Sequence, residues 1–94
     1  MKEELIKVIR ENGFSGIDSI IENNTDPKLK EEPIFKLVRA IKYNDLDTVK
    51  SISKSGIDIH FEDDFPLSWA VHNGHLDIVK FFVETGFNDV IRHL

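Results

Sequence analysis

Offset by thirty residues, the chain lies on itself: IFKLVRAIKYNDLDTVKSISKSG (34–56) falls beneath DFPLSWAVHNGHLDIVKFFVETG (64–86). Phe35 meets Phe65, Leu37 meets Leu67, Ala40 meets Ala70, Leu46-Asp47 meet Leu76-Asp77, Val49-Lys50 meet Val79-Lys80, and Gly56 meets Gly86, eight identities with no gap. Repetition at this period marks a stack of small supersecondary units, each unable to bury its apolar side alone. The only two alanines in the chain form one of these pairs. A small side chain is demanded there, as at a point of close helix approach.

Each unit reads as two antiparallel helices. In the second unit the first helix is expected from Phe65 to His72, with Asp63 or Asp64 as its cap and Pro66 in the first turn, where a missing N–H costs nothing. Leu67, Ala70 and Val71 fall at i, i+3, i+4 and form its apolar stripe. Asn73-Gly74 is a turn signal, and Asn44 takes the place of Gly74 in the unit before, a residue tolerated in the left-handed conformation. The second helix is expected to begin near His75, to carry Leu76, Val79, Phe82 and Val83 on one face, and to stop at Gly86 as its counterpart stops at Gly56.

These residues resemble a known family. Pro66-Leu67, Ala70, Gly74-His75-Leu76-Asp77-Ile78-Val79 and Gly86 are similar to the ankyrin repeat, whose signature runs T-P-L-H-x-A through G-H-L-x-I-V to L-L-x-x-G-A. The earlier unit keeps Leu37, Ala40, Leu46, Val49 and Gly56-Ile57-Asp58-Ile59, with Asn44-Asp45 in place of Gly-His. Phe65 and Ser68 depart from the Thr and His of the signature. The resemblance implies an all-α solenoid of about three stacked antiparallel helix pairs.

Upstream of Pro33 the signature fades. Leu5, Val8 and Ile9 form one stripe, Gly13-Phe14-Ser15-Gly16 a turn, and Ile17, Ile20 and Ile21 a second stripe, while Asp26-Pro27 opens one short charged turn. A single domain of 94 residues is therefore expected, with 1–32 a degenerate N-terminal helix pair and connector, 33–60 a repeat, and 61–94 a repeat with a C-terminal tail. Val90, Ile91 and Leu94 of that tail are expected to cover the open side of the last unit.

Several functions are disfavoured by composition. Without cysteine there are no disulfides, zinc-thiolate sites or thiol catalysis, and a reducing, cytoplasmic setting is expected. No run approaches the ~18 apolar residues of a membrane span, and the N-terminus carries no secretory pattern. Seventeen Asp/Glu against twelve Lys/Arg, a formal charge of −5, weigh against nucleic acid, and no basic patch is visible. His72, His75 and Asp77, with His60 and Glu62, form a loose metal-like set, but His75 belongs to the Gly-His-Leu turn. Ser68, His72 and Asp77 lack a nucleophile elbow. No catalytic residue, metal or cofactor is assigned.

Members of the family generally bind proteins through the loops between repeats and the exposed face of each first helix. Carried onto this chain, the resemblance implies Arg39, Lys42, Tyr43, Phe61, Glu62, Asp64, Trp69, His72 and Asn73. Trp69 has a second reading, packed between adjacent first helices, and Phe61 another, buried beneath its loop. The acids Glu31-Glu32 and Glu62-Asp63-Asp64 each precede a first helix; they complement helix N-termini and also form an edge suited to a basic partner. The expected function is a monomeric, non-enzymatic protein-binding module. The alternative is an acidic inhibitor covering a basic active or nucleic-acid-binding site.

Overall fold

A computed structural model describes residues 2–92, with the side chains of 4–85. Six helices follow one another: α1 (Lys2–Asn23), α2 (Pro27–Lys30), α3 (Pro33–Lys42), α4 (Leu46–Lys54), α5 (Phe61–His72) and α6 (Leu76–Arg92), with no strand among the described residues. The chain is all-α, as the repeat predicts.

The thirty-residue repeat becomes two helix pairs, α3/α4 and α5/α6, which pack through α3 against α5 and α4 against α6. Ala40 and Ala70 are buried at corresponding positions of α3 and α5. Asn44, Gly56 and Gly74 adopt φ of 59°, 97° and 74°, the left-handed turns that the sequence predicts. Asp45 caps α4 by accepting from the Thr48 amide at 3.2 Å. Two polar ties cross between the units. Trp69 Nε1 donates to the Val38 carbonyl at 2.8 Å, and His75 Nε2 donates to the Lys42 carbonyl, also at 2.8 Å. The histidine of the Gly-His-Leu turn is thus a structural cross-link.

Three expectations are corrected. Right-handed helix does begin at Phe65, but neither Asp63 nor Asp64 caps it: Glu62, Asp63 and Asp64 are left-handed in succession, with φ of 50°, 56° and 61°. The Asp64 carboxylate turns back to His60 Nδ1, four residues earlier. Gly86 does not stop α6, which continues to Arg92. Val79, Phe82, Val83, Phe87, Val90 and Ile91 keep one helical spacing across the glycine, and a mid-helix glycine costs only ~1 kcal/mol. Thirdly, Val71, Leu76 and Val83 are exposed, because the face that meets α3 is centred on Phe65, Pro66 and Trp69, and the core face of α6 on Ile78 and Phe82. Val90, Ile91 and Leu94, expected to cover the last unit, lie outside the described side chains.

The N-terminal segment reverses within α1. Gly13 has φ 58° and ψ −140°, a conformation open only to glycine. A Cβ added at Gly16 would lie 2.7 Å from Val8 Cγ1 and 2.6 Å from Asn12 Cβ. Eight residues of straight helix span ~12 Å, so the two arms must fold back on each other. Leu5, Ile9 and Ile17 are buried, which makes the hairpin part of the core. It lies against α5 as well as α3. Asp26 then caps α2 through the Lys28 amide at 2.9 Å, as Asp26-Pro27 predicts, and Leu29 seats α2 against α3.

Candidate binding surface

The sequence-derived positions fall on α3 and just past its end at Tyr43, and on α5, where Phe61, Glu62 and Asp64 lie at the start, and just past its end at Asn73. Phe65, Trp69 and His72, at i, i+4 and i+7, share one face of α5. Phe14, beside the reversal in α1, rests on that face. Its ring lies 5.6 Å from both Phe65 and Trp69 and stacks on His72 at 4.4 Å and 24°. Trp69 is fully buried. Of its two readings the packed one describes its position, and it offers no surface to a partner.

Charges fasten the same hairpin. Arg10 Nε and Nη2 grip the two Glu62 carboxylate oxygens at 2.8 and 2.9 Å, a bidentate pair. That hydrogen bond holds Glu62 below the usual carboxylate range and raises Arg10 above the usual guanidinium value. On the other arm, Asp18 and Glu22 each hold Lys42 Nζ at 2.9 Å, and their hydrogen bonds, that to Asp18 first, raise the lysine above its ordinary value. Arg10, Phe14, Asp18 and Glu22 stand four residues apart in sequence. Four of the nine expected binding positions, Lys42, Glu62, Trp69 and His72, thereby become contacts of the N-terminal hairpin.

The remaining five divide. Asn73 Nδ2 donates to the Trp69 carbonyl at 2.8 Å, which finishes α5 at its C-cap. Phe61 is half-buried, its ring 6.2 Å from that of Phe65, and Asp64 is exposed but paired with His60. Arg39 and Tyr43 are exposed, Tyr43 to 61 %.

Arg39 and Tyr43 line an open groove together with Lys30, Lys36, Asp45 and Thr48. Neither Lys30 nor Lys36 was expected from the sequence. Lys36 was within reach of it, standing three residues before Arg39 and seven before Tyr43 on one helix face. Lys30 comes from another helix and leaves no such signal. Asp45 accepts from the Thr48 hydroxyl at 2.7 Å as well as from its amide, and these two bonds hold its carboxyl below the ordinary value. Among the described residues no group of three or more His, Asp or Glu is arranged to hold a metal ion, and no helix is long and apolar enough to cross a membrane.

Comparison with known proteins adds one finding. A family model described as ankyrin repeats (3 copies) matches residues 37–92. No curated protein and no solved structure matches the chain.

Proposed function

Because the chain belongs to the ankyrin-repeat family, we propose that it is a non-enzymatic, cytoplasmic module that binds a partner protein through the open part of its first-helix face. Ankyrin repeats are generally protein–protein interaction modules. In this reading 1–32 serve as the N-terminal cap, and 33–60 and 61–94 as the two repeats. The observation that carries it is Tyr43. It is a large aromatic, 61 % exposed at the end of α3, on helix pairs cross-linked by the Trp69–Val38 and His75–Lys42 bonds. An amphipathic ring held on ordered helices is the kind of group that anchors interfaces, since little side-chain entropy is lost when a partner covers it.

The acidic-inhibitor alternative receives less support. Two acids of its edge are engaged within the chain, Glu62 by Arg10 and Asp64 by His60. Capture of a partner from an extract of the cells that make the protein tests the main reading. Tyr43→Ala should reduce retention at least tenfold with unchanged melting temperature, and Phe61→Ala should reduce it as much with a modest drop in melting temperature, because its ring also packs on Phe65; hot-spot aromatics contribute ≥2 kcal/mol. Lys80→Ala and Glu84→Ala on α6 should retain it. Loss of capture in the α6 variants alone would refute the proposal.

A further inference from the structure

Although acids outnumber bases in this chain, one groove collects cations. Lys36, Arg39 and Tyr43 align on one face of α3, and α2, seated by buried Leu29, brings Lys30 to the same place. Two other cations are matched, Arg10 by Glu62 and Lys42 by Asp18 and Glu22. Among the described residues no ion pair joins Lys30, Lys36 or Arg39 to an acid. The acid that does line the groove, Asp45, is turned to the Thr48 amide and hydroxyl at the start of α4. One carboxylate stands against three cations there, and like charges in excess repel one another, so the cluster adds no stability to the fold.

We infer that this groove is the docking site for an acidic segment of a partner protein, whose carboxylates meet Lys30, Lys36 and Arg39 while its chain lies along the Tyr43 ring. The inference rests on the protein-binding reading above and gives the partner a chemistry. It also reverses the expected sense of charge: the sequence pointed to an acidic edge and a basic partner, whereas two acids of that edge, Glu62 and Asp64, are engaged internally and the open groove carries three cations against one acid. Arg39 offers a planar fork that takes a carboxylate through two parallel bonds, and the lysines add adaptable point charges. Complementarity of this kind acts chiefly on encounter rate and specificity, and it weakens with salt. A nucleic acid fits less well. Three cations neutralise few phosphates, and the net negative charge repels a long polyanion at a distance.

The test uses the full chain and fluorescence anisotropy with three labelled probes: a peptide of repeated Glu-Glu-Leu about twelve residues long, its Gln-Gln-Leu counterpart, and an oligothymidylate of matching length. The Glu peptide should bind, the Gln peptide at least tenfold more weakly, and added salt should weaken the first far more than the second. Lys36→Glu and Arg39→Glu should each cost at least tenfold, while Lys80→Glu on α6 should bind as the parent does. All three positions are exposed, so unchanged helical circular dichroism is expected. Equal affinity for the Glu and Gln peptides, or indifference to Lys36→Glu and Arg39→Glu, would overturn the inference. Tighter binding of the oligothymidylate would overturn the class of partner. If the captured protein is retained by Lys36→Glu and Arg39→Glu but lost by Phe61→Ala, the groove inference fails while the binding-module reading stands. If neither set affects capture, both fail.

Discussion

Replacing Phe14 by alanine tests the contact that most alters the expected surface. A fully buried phenylalanine costs ~3–5 kcal/mol when cut to alanine. Phe14 is half-buried, yet it makes ring contacts with Phe65, Trp69 and His72 at 5.6, 5.6 and 4.4 Å. Aromatic pairs contribute ~0.5–1.5 kcal/mol beyond area, and the three share one ring, so a total near 2 kcal/mol follows. In a domain of this size each kcal/mol moves the midpoint by roughly 4–8 °C, so Phe14→Ala should lower Tm by about 8–16 °C. The assay has a built-in reporter, because Trp69 is the only tryptophan in the chain. With Phe14 removed, water reaches the indole and its emission should shift to the red in the still-folded protein at 15 °C. Phe14→Leu should recover most of the stability but not the stacking on His72. A melting point within about 2 °C of the parent and an unshifted emission would mean that the hairpin does not rest on α5.

Three further outcomes follow from named contacts. Ala70→Leu should cost ~1–3 kcal/mol by overpacking a fully buried position, whereas Lys54→Leu at the exposed end of α4 should cost little; equal shifts in thermal melts would count against close packing of α3 on α5. Gly56→Ala should cost ~1 kcal/mol through backbone strain alone, since φ is +97° and no atom lies within 4 Å of the new Cβ; a variant as stable as the parent in urea would exclude that geometry. Glu62 is held below its ordinary 4.5, so the stability it gains from Arg10 is present above that pH and lost as pH falls through the lowered value. Arg10→Ala should therefore melt lower than the parent at pH 7, with the gap closing as pH drops below 4.5, and a gap independent of pH would refute the pairing.

What could be read from the sequence was local. Asn44 and Gly74 occupy equivalent turns because both tolerate positive φ, and Ala40 and Ala70 are the small residues that a close helix crossing requires. Each of those constraints recurs at the same position in both units. Gly86 misled because a glycine permits a stop without imposing one, and the apolar spacing that crosses it was the stronger signal. The run Glu62-Asp63-Asp64 reads as helix-capping acids by composition. Asp visits the left-handed region as a single residue, but three such residues in succession, one of them Glu62, are not announced by any propensity. The binding surface was legible only in part, since exposure depends on neighbours distant in sequence. Arg10 and Glu62 are 52 residues apart, and nothing in either segment names the other.

The segment with the least repeat character thus decides which face of the repeats is open. By placing Arg10 and Phe14 on the α5 side, the hairpin takes up the acidic loop position and the aromatic stripe; by placing Asp18 and Glu22 beside Lys42, it removes one cation from the end of α3. Arg39 and Tyr43 are left outside its reach, together with Lys30 and Lys36. Fully buried Leu5 and Ile17 tie the hairpin into the core, so a partner that had to lift it would expose apolar surface worth several kcal/mol. A partner that docks beside it in the cationic groove would expose none. Of the two halves of the expected surface, the one on α3 is therefore where association costs least.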